Sequence, residues 1–101
     1  MKEPEENIGL VCPDYIAKAK KSWQQQNANT IIQVGGHVKI TFSEGEKKEH
    51  MWVKVVTVTG NNIITGILRN EPFLVRNIVY GAKVQCEFTD IILYIPPRLE
   101  P

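Results

Sequence analysis

The feature that most constrains the fold is a pair of apolar segments joined by a short polar turn. Residues 50–58 (HMWVKVVTV) and 63–68 (IITGIL) are rich in the β-branched and aromatic side chains that favour strands. Gly60, Asn61 and Asn62 lie between the two segments, and both residue types tolerate the positive φ angles that tight hairpin turns need. The stretch 49–73 therefore predicts a central β-hairpin.

Two details of this hairpin are also predictable. Strict alternation along the first segment separates two faces, with Met51, Val53, Val55 and Thr57 on one and Trp52, Lys54, Val56 and Val58 on the other. Gly66 interrupts the return strand, which indicates a bulge or a close backbone approach at that position.

Other segments extend the sheet. Residues 37–42 (HVKITF) and 83–88 (KVQCEF) alternate between apolar and polar side chains, as half-buried strands do. Residues 30–34 predict a short strand or a buried connector, and the apolar run 91–95 ends at Pro96-Pro97. Turn residues recur every 8 to 12 positions, which is typical of a small sheet or barrel.

The N-terminal part has a different period. Ile16, Ala19 and Trp23 recur at spacings of three and four, which predicts an amphipathic helix over residues 14–26. The predicted fold class is therefore α+β: an N-terminal amphipathic helix packed on a small, strongly bent antiparallel sheet or partly open β-barrel of five to six strands. We expect a single domain over 1–101, with a loose N-terminus (1–7), the helix, a β-rich region (30–95) and a tail (96–101).

Composition bounds the classes of partner and the compartment. The 101 residues carry 12 basic and 11 acidic side chains, so the net charge is +1, and this balance disfavours binding to nucleic-acid phosphates. Cys12 and Cys86 share no metal-binding spacing and are expected to be buried thiols, with a long-range disulfide or a reactive thiol as the alternatives. The acidic start resembles no signal peptide, and no apolar run is long enough to span a membrane. We expect a soluble, cytoplasmic protein without membrane association.

Several short motifs occur in an order that resembles a known family. EHMWVKV, ITGIL followed by NEP, and YGAKVQCEFTDI are similar to the YegJ-like bacterial domain of unknown function. The matching positions lie between about residues 14 and 95: Val38, Lys39, Glu49, His50, Trp52, Val53, Ile64, Gly66, Leu68, Asn70, Pro72, Gly81 and Val84. Ile92-Leu93-Tyr94 departs from the acidic-Trp pair that this family has near its last strand. The resemblance implies a bacterial origin and a fold, and no activity.

The chain offers few side chains for catalysis. An enzyme reading would combine His50 with Glu71 or Asp90 as acid and base. His37 and His50 have no close metal-binding spacing, and no glycine-rich phosphate loop is present. Cys86 lies in an apolar alternation, as a core thiol does. We therefore assign no catalytic residue, no metal ligand and no cofactor.

The remaining candidates suggest binding. Trp52 offers a large rigid surface with one polar group, as interaction hot spots do, unless it packs in the core against Trp23. The candidate binding surface consists of His50, Trp52, Asn70, Glu71 and Pro72. The leading hypothesis is a non-enzymatic module that engages another protein, with an immunity-like or anti-defence role as one version. The alternative is single-stranded nucleic-acid binding through an OB- or SH3-like surface, using Trp52, Phe73 and Tyr80 for stacking and the lysines for phosphates.

Overall fold

Over the residues that the structure describes, the fold is a six-stranded antiparallel sheet. A computed structural model describes residues 16–17 and 26–98 of the chain. The strands are β1 (Ile16–Ala17), β2 (His37–Glu44), β3 (Lys47–Val58), β4 (Ile63–Leu68), β5 (Lys83–Glu87) and β6 (Leu93–Ile95). Their order is β1-β2-β3-β4-β5, and β6 also pairs with β2. A short 3-10 helix, Phe88–Asp90, connects β5 to β6.

Strand β2 has its outer edge divided between two partners. Its Thr41 and Phe42 pair with β1, whereas its first three residues, 37–39, pair with β6. The chain leaves β5 at one edge of the sheet and reaches β6 at the other after a connection that includes the 3-10 helix. The connection can span only about 16 Å, because its 3-10 helix rises about 2.0 Å per residue. In a flat sheet, β5 and β6 would be four strand spacings apart, which is about 19 Å. The sheet is therefore bent.

The predicted α+β class is wrong. The complete elements over the described residues are strands and a 3-10 helix, and Ile16 and Ala17, which the predicted helix included, form β1 against Phe42 and Thr41. The period of three to four favoured a helix, but the open edge of β2 supplies backbone partners that local propensity cannot anticipate. Of the rest of the predicted helix, Gln26 is described and has helical backbone, whereas residues 14, 15 and 18–25 lie outside the described residues, as do Cys12 and Trp23.

The strands in the hairpin region agree with the prediction. Predicted strands at 50–58, 63–68 and 37–42 are confirmed, although β2 and β3 extend further into their shared hairpin. The strand predicted at 83–88 is confirmed over Lys83–Glu87, and Phe88 begins the 3-10 helix. The turn after β3 is also confirmed, and its left-handed residue is Asn62, with φ +64°. Residues 30–36 form a connector without strand structure, in which Ile32 is buried.

A bulge in β3 corrects the predicted faces. The register against β4 shifts between Val55 and Thr57, so that Thr57 pairs with Thr65 and Val58 pairs with Ile64. An extra residue reverses the alternation beyond it. Val58 therefore packs toward the core and Thr57 is exposed, the opposite of the prediction.

Gly66 is where β4 accommodates the bulge. A Cβ at this position would lie 2.2 Å from the Lys54 carbonyl oxygen, so the predicted close approach is confirmed.

One side of the sheet carries the hydrophobic core. Its strand residues are Val38, Ile40, Phe42, Met51, Val53, Val55, Ile64, Leu68, Val84 and Cys86, and the connections add Ile32, Val75, Ile78, Ala82 and Ile91. The opposite side, which we call the outer face, carries the alternate residues of the strands, including Lys39, Trp52 and Lys54. Among the described residues, no helix is long and apolar enough to cross a membrane.

Candidate functional site

The connection between β4 and β5 begins with a loop, residues 70–76, that is fastened to the β2–β3 hairpin by two carboxylates. The Glu49 carboxylate accepts hydrogen bonds from the backbone N–H groups of Phe73 (2.9 Å), Leu74 (2.8 Å) and Val75 (3.2 Å). Glu44 accepts one from the Arg76 N–H at 2.6 Å. A loop without regular structure is thereby held in one backbone conformation, because its donors have fixed acceptors.

The charge of Glu49 is part of this arrangement. Desolvation raises the pKa of this carboxyl, but the hydrogen bonds from Leu74, Phe73 and Val75 outweigh it, so the pKa is lowered from its ordinary value of 4.5. Hydrogen bonds donated to a carboxylate favour its charged form. Glu49 therefore holds the loop as an anion at neutral pH.

A second fastening joins the start of the loop to Trp52. The Asn70 side-chain oxygen accepts a hydrogen bond from the Trp52 backbone N–H, and the Arg69 N–H binds the Trp52 carbonyl oxygen at 2.9 Å. The Trp52 side chain lies on the outer face and is half-buried. The Lys39 ammonium lies 5.5 Å from the centre of its ring, within cation–π distance. Trp52 is therefore positioned at the junction of the sheet and the loop.

The other predicted surface residues are distributed around this junction. His50 is exposed, and its Nδ1 shares a hydrogen bond of 2.8 Å with the Thr41 hydroxyl. Glu71 is exposed and Pro72 is half-buried, both within the loop. The carboxylate that binds the backbone N–H groups of this loop is that of Glu49, and not that of Glu71. The hydrogen bonds thus connect Asn70 to Trp52, whereas His50 bonds to strand β2.

The tip of the loop presents apolar side chains to solvent. Phe73 is 79% exposed and Leu74 is 46% exposed, although their N–H groups are bound by Glu49. Val79 and Tyr80, further along the same connection, are also exposed. Large apolar side chains on a fixed backbone are a feature of interaction surfaces.

The groups considered for catalysis have other contacts. Asp90 is buried and accepts a hydrogen bond from the Glu87 N–H at 2.8 Å. Cys86 is a buried thiol, as predicted, and burial, followed by the charges of Asp90 and Glu87, raises its pKa to about 12. A thiol with so high a pKa is a poor nucleophile at neutral pH. Within residues 16–17 and 26–98, no three potential metal ligands are grouped as a metal site requires.

Sequence reasoning missed the two residues that organise the loop. Neither Glu44 nor Glu49 is among the predicted binding residues. Their targets lie 24 to 32 positions away in sequence, at Phe73 to Arg76. The sequence signal that could have indicated these anchors is the presence of both the EHMW and the NEP segments, because the β3–β4 hairpin brings the two segments close together.

The comparisons with known proteins give one match. The family model described as "Uncharacterized protein conserved in bacteria (DUF2314)" matches residues 15–95, a range that contains all six strands. No curated protein and no solved structure matches the chain.

Proposed function

Because the chain belongs to DUF2314, a bacterial family whose description assigns no activity, we propose from its surface that it is a non-enzymatic module that binds another protein. The contact centres on the 70–76 loop and Trp52. The narrower resemblance to the YegJ-like domain, a cytoplasmic location and an immunity-like or anti-defence role are parts of the same proposal. The buried free thiol of Cys86 supports a reducing compartment.

The observation that carries the proposal is the loop tip. Phe73 is among the most exposed apolar side chains described, yet its backbone is fixed by a carboxylate on another strand. Exposure of a phenyl ring to water is unfavourable, whereas a fixed backbone reduces the entropy that a partner must remove on binding. A protein surface with an apolar pocket would gain from both features.

Trp52 and its neighbours extend the proposed contact. Trp52 is half-buried on the outer face, and its backbone N–H is joined to the loop through the Asn70 side-chain oxygen. His50 on the same strand and Glu71 and Pro72 in the loop would supply polar and rigid groups at the margin of the contact, as the rim of an interface does. The nucleic-acid alternative receives less support, since Lys39 already lies over the Trp52 ring on which a base would stack.

The test compares two equally exposed apolar residues. Phe73→Ser removes the loop tip, and Ile31→Ser removes a side chain of equal exposure, 78%, in the 30–36 connector. Tagged wild-type protein and both variants are used to capture proteins from a lysate of the bacterial host, and the captured protein is then purified and titrated. We expect the wild type and Ile31→Ser to bind it alike and Phe73→Ser to bind at least about tenfold more weakly.

Two results would contradict the proposal. Equal binding by the wild type and Phe73→Ser would mean that the contact lies elsewhere on the protein. If the wild type captured no partner and showed no self-association by size-exclusion chromatography, the proposal of a binding module would lose its support. Binding of labelled single-stranded oligonucleotides at low salt and about 10 μM protein would favour the nucleic-acid alternative, since such binding is strongest there.

A further inference from the structure

The outer face ends in an open cleft of about 500 Å³ beside the last strand. Its polar lining consists of His37, Lys54 and Arg98, and its apolar wall consists of Ile95, Pro96 and Pro97. None of these residues belongs to the 70–76 loop or to the predicted binding surface. The cleft is therefore a separate feature of the molecule.

The register of the sheet assembles this cleft. His37 is opposite Lys54 on β3 and opposite Ile95 on β6, so three side chains of one row project from the outer face together. Gly36 allows the end of β6 and Pro97 to approach closely. A Cβ on Gly36 would lie 2.8 Å from the Ile95 carbonyl oxygen and 3.2 Å from the Pro97 ring. Sequence reasoning could not find the cleft, since His37, Lys54 and Arg98 are separated by 17 and 44 positions and come together only through the pairing of β3 and β6 with β2.

The charges in the cleft have one sign. Lys54 and Arg98 are exposed basic side chains, and no carboxylate is among the described lining residues. The pKa of His37 is consistent with this positive charge. Burial is the largest cause that lowers this pKa, and the charges of Lys54 and Arg69 lower it further. A positive concave site attracts an anion.

We propose that this cleft binds a small organic oxyanion, with its carboxylate or phosphate between Lys54 and Arg98 and its apolar body against Ile95, Pro96 and Pro97. The guanidinium of Arg98 can hold two oxygens of either group at once, and the Lys54 ammonium adds a point charge. The volume lies within the range of small-molecule sites, about 300 to 1,000 Å³. The two prolines and Ile95 form a wall with few rotatable bonds, which suits a planar or aliphatic body.

Binding has a second consequence at His37. An anion beside the imidazole would offset the charges of Lys54 and Arg69 and raise the pKa of His37 toward its ordinary value. A group whose pKa rises on binding takes up protons, so the anion binds more tightly as the pH falls from 7.5 to about 6.

The test uses three probes of similar shape: 3-phenylpropionate, phenyl phosphate and the neutral 3-phenylpropionamide. Each is titrated into the protein while amide and His37 ring resonances are followed by NMR. We expect saturable shifts around His37, Lys54 and Ile95 with at least one anion and none with the amide. The two anions distinguish a carboxylate site from a phosphate site. The pKa of His37 should rise in the presence of the bound anion.

Matched variants locate the site. Lys54→Gln and Arg98→Gln each remove one positive charge from the cleft, and Lys48→Gln removes one from an exposed position on the β2–β3 hairpin. We expect each cleft variant to weaken binding at least about fivefold, with Lys48→Gln equal to the wild type. Equal binding of the amide, equal binding by the cleft variants, or no saturable shift at about 10 mM probe would each overturn the proposal.

Discussion

At the scale of single residues, Gly66 has the least freedom to change. A Cβ there would lie 2.2 Å from the Lys54 carbonyl oxygen and 2.5 Å from the Val53 side chain. The nearest atom belongs to backbone at the bulge of β3, so it cannot move aside without disturbing strand pairing. We expect Gly66→Ala to lower the free energy of unfolding by about 3 kcal/mol, measured by urea denaturation.

Gly60 provides the matched control. It lies in the turn after β3, and a Cβ there would meet no atom within 4 Å. Gly60→Ala should therefore change the free energy of unfolding by less than about 0.5 kcal/mol. Similar losses in the two variants would mean that glycine flexibility, and not the close approach at Gly66, determines the effect.

Glu49 determines a dependence on pH. Because its folded pKa lies below the unfolded value, its contribution to stability is present above the unfolded pKa, near 4.5, and is lost as the pH falls through the folded pKa. Glu49→Gln should therefore lower stability by about 1 kcal/mol at pH 7. The difference between variant and wild type should shrink below pH 4.

The control for this prediction is Glu46→Gln, which changes an exposed carboxylate in the β2–β3 turn. It should leave the free energy of unfolding within about 0.5 kcal/mol of the wild type at neutral pH. A Glu49→Gln deficit that stayed constant from pH 7 to pH 3 would contradict an electrostatic role, because the loss would then come from shape alone.

At the scale of elements, the 70–76 loop should behave as an ordered segment. The N–H groups of Phe73, Leu74 and Arg76 are bound by carboxylates, whereas the side chains around them face solvent. We expect these amides to exchange with deuterium at least about tenfold more slowly than those of Gly45 and Glu46 in the neighbouring turn. Glu49→Gln should remove the protection of Phe73 and Leu74, whereas the Arg76 amide, which Glu44 binds, and the amides of β3 and β4 remain protected. Fast exchange of the loop in the wild type would refute the fastening.

The elements also indicate what the sequence can predict. Strands β3 and β4 were predictable because their alternation and the Gly-Asn-Asn turn are local signals. The bulge at Val56 was not, since an extra residue in one strand is visible only against its partner. Ile16 and Ala17 had a helical period, but pairing with the edge of β2 determines their structure. The loop anchors Glu44 and Glu49 depend on contacts between distant segments, so no local pattern identifies them.

At the scale of the whole molecule, charge is unevenly distributed. The net charge is only +1, yet the outer face and its margin bring together Lys39, Lys54, Arg69, Lys83 and Arg98. Glu87 is at the opposite end of β5 from Lys83. Over the described residues, composition alone therefore understates how positive this face is.

The positive charges of this face should lower the free energy of unfolding when no anion is bound. Lys54 and Lys83 flank Ile67 across three neighbouring strands, about 10 Å apart, and Arg69 acts on the same region. Like charges at that distance repel when salt is low and are screened when salt is high. We expect Lys54→Gln to raise the free energy of unfolding by about 0.5 kcal/mol at 10 mM salt and to match the wild type near 1 M.

Lys48→Gln, whose neighbours include Glu49, is the control and should give no gain at either salt concentration. A gain from Lys54→Gln that persisted at 1 M salt would show that it arises from packing or propensity. A gain confined to low salt would mean that repulsion between Lys54 and the neighbouring cations destabilises the protein. Such repulsion is expected at a site that binds an anion.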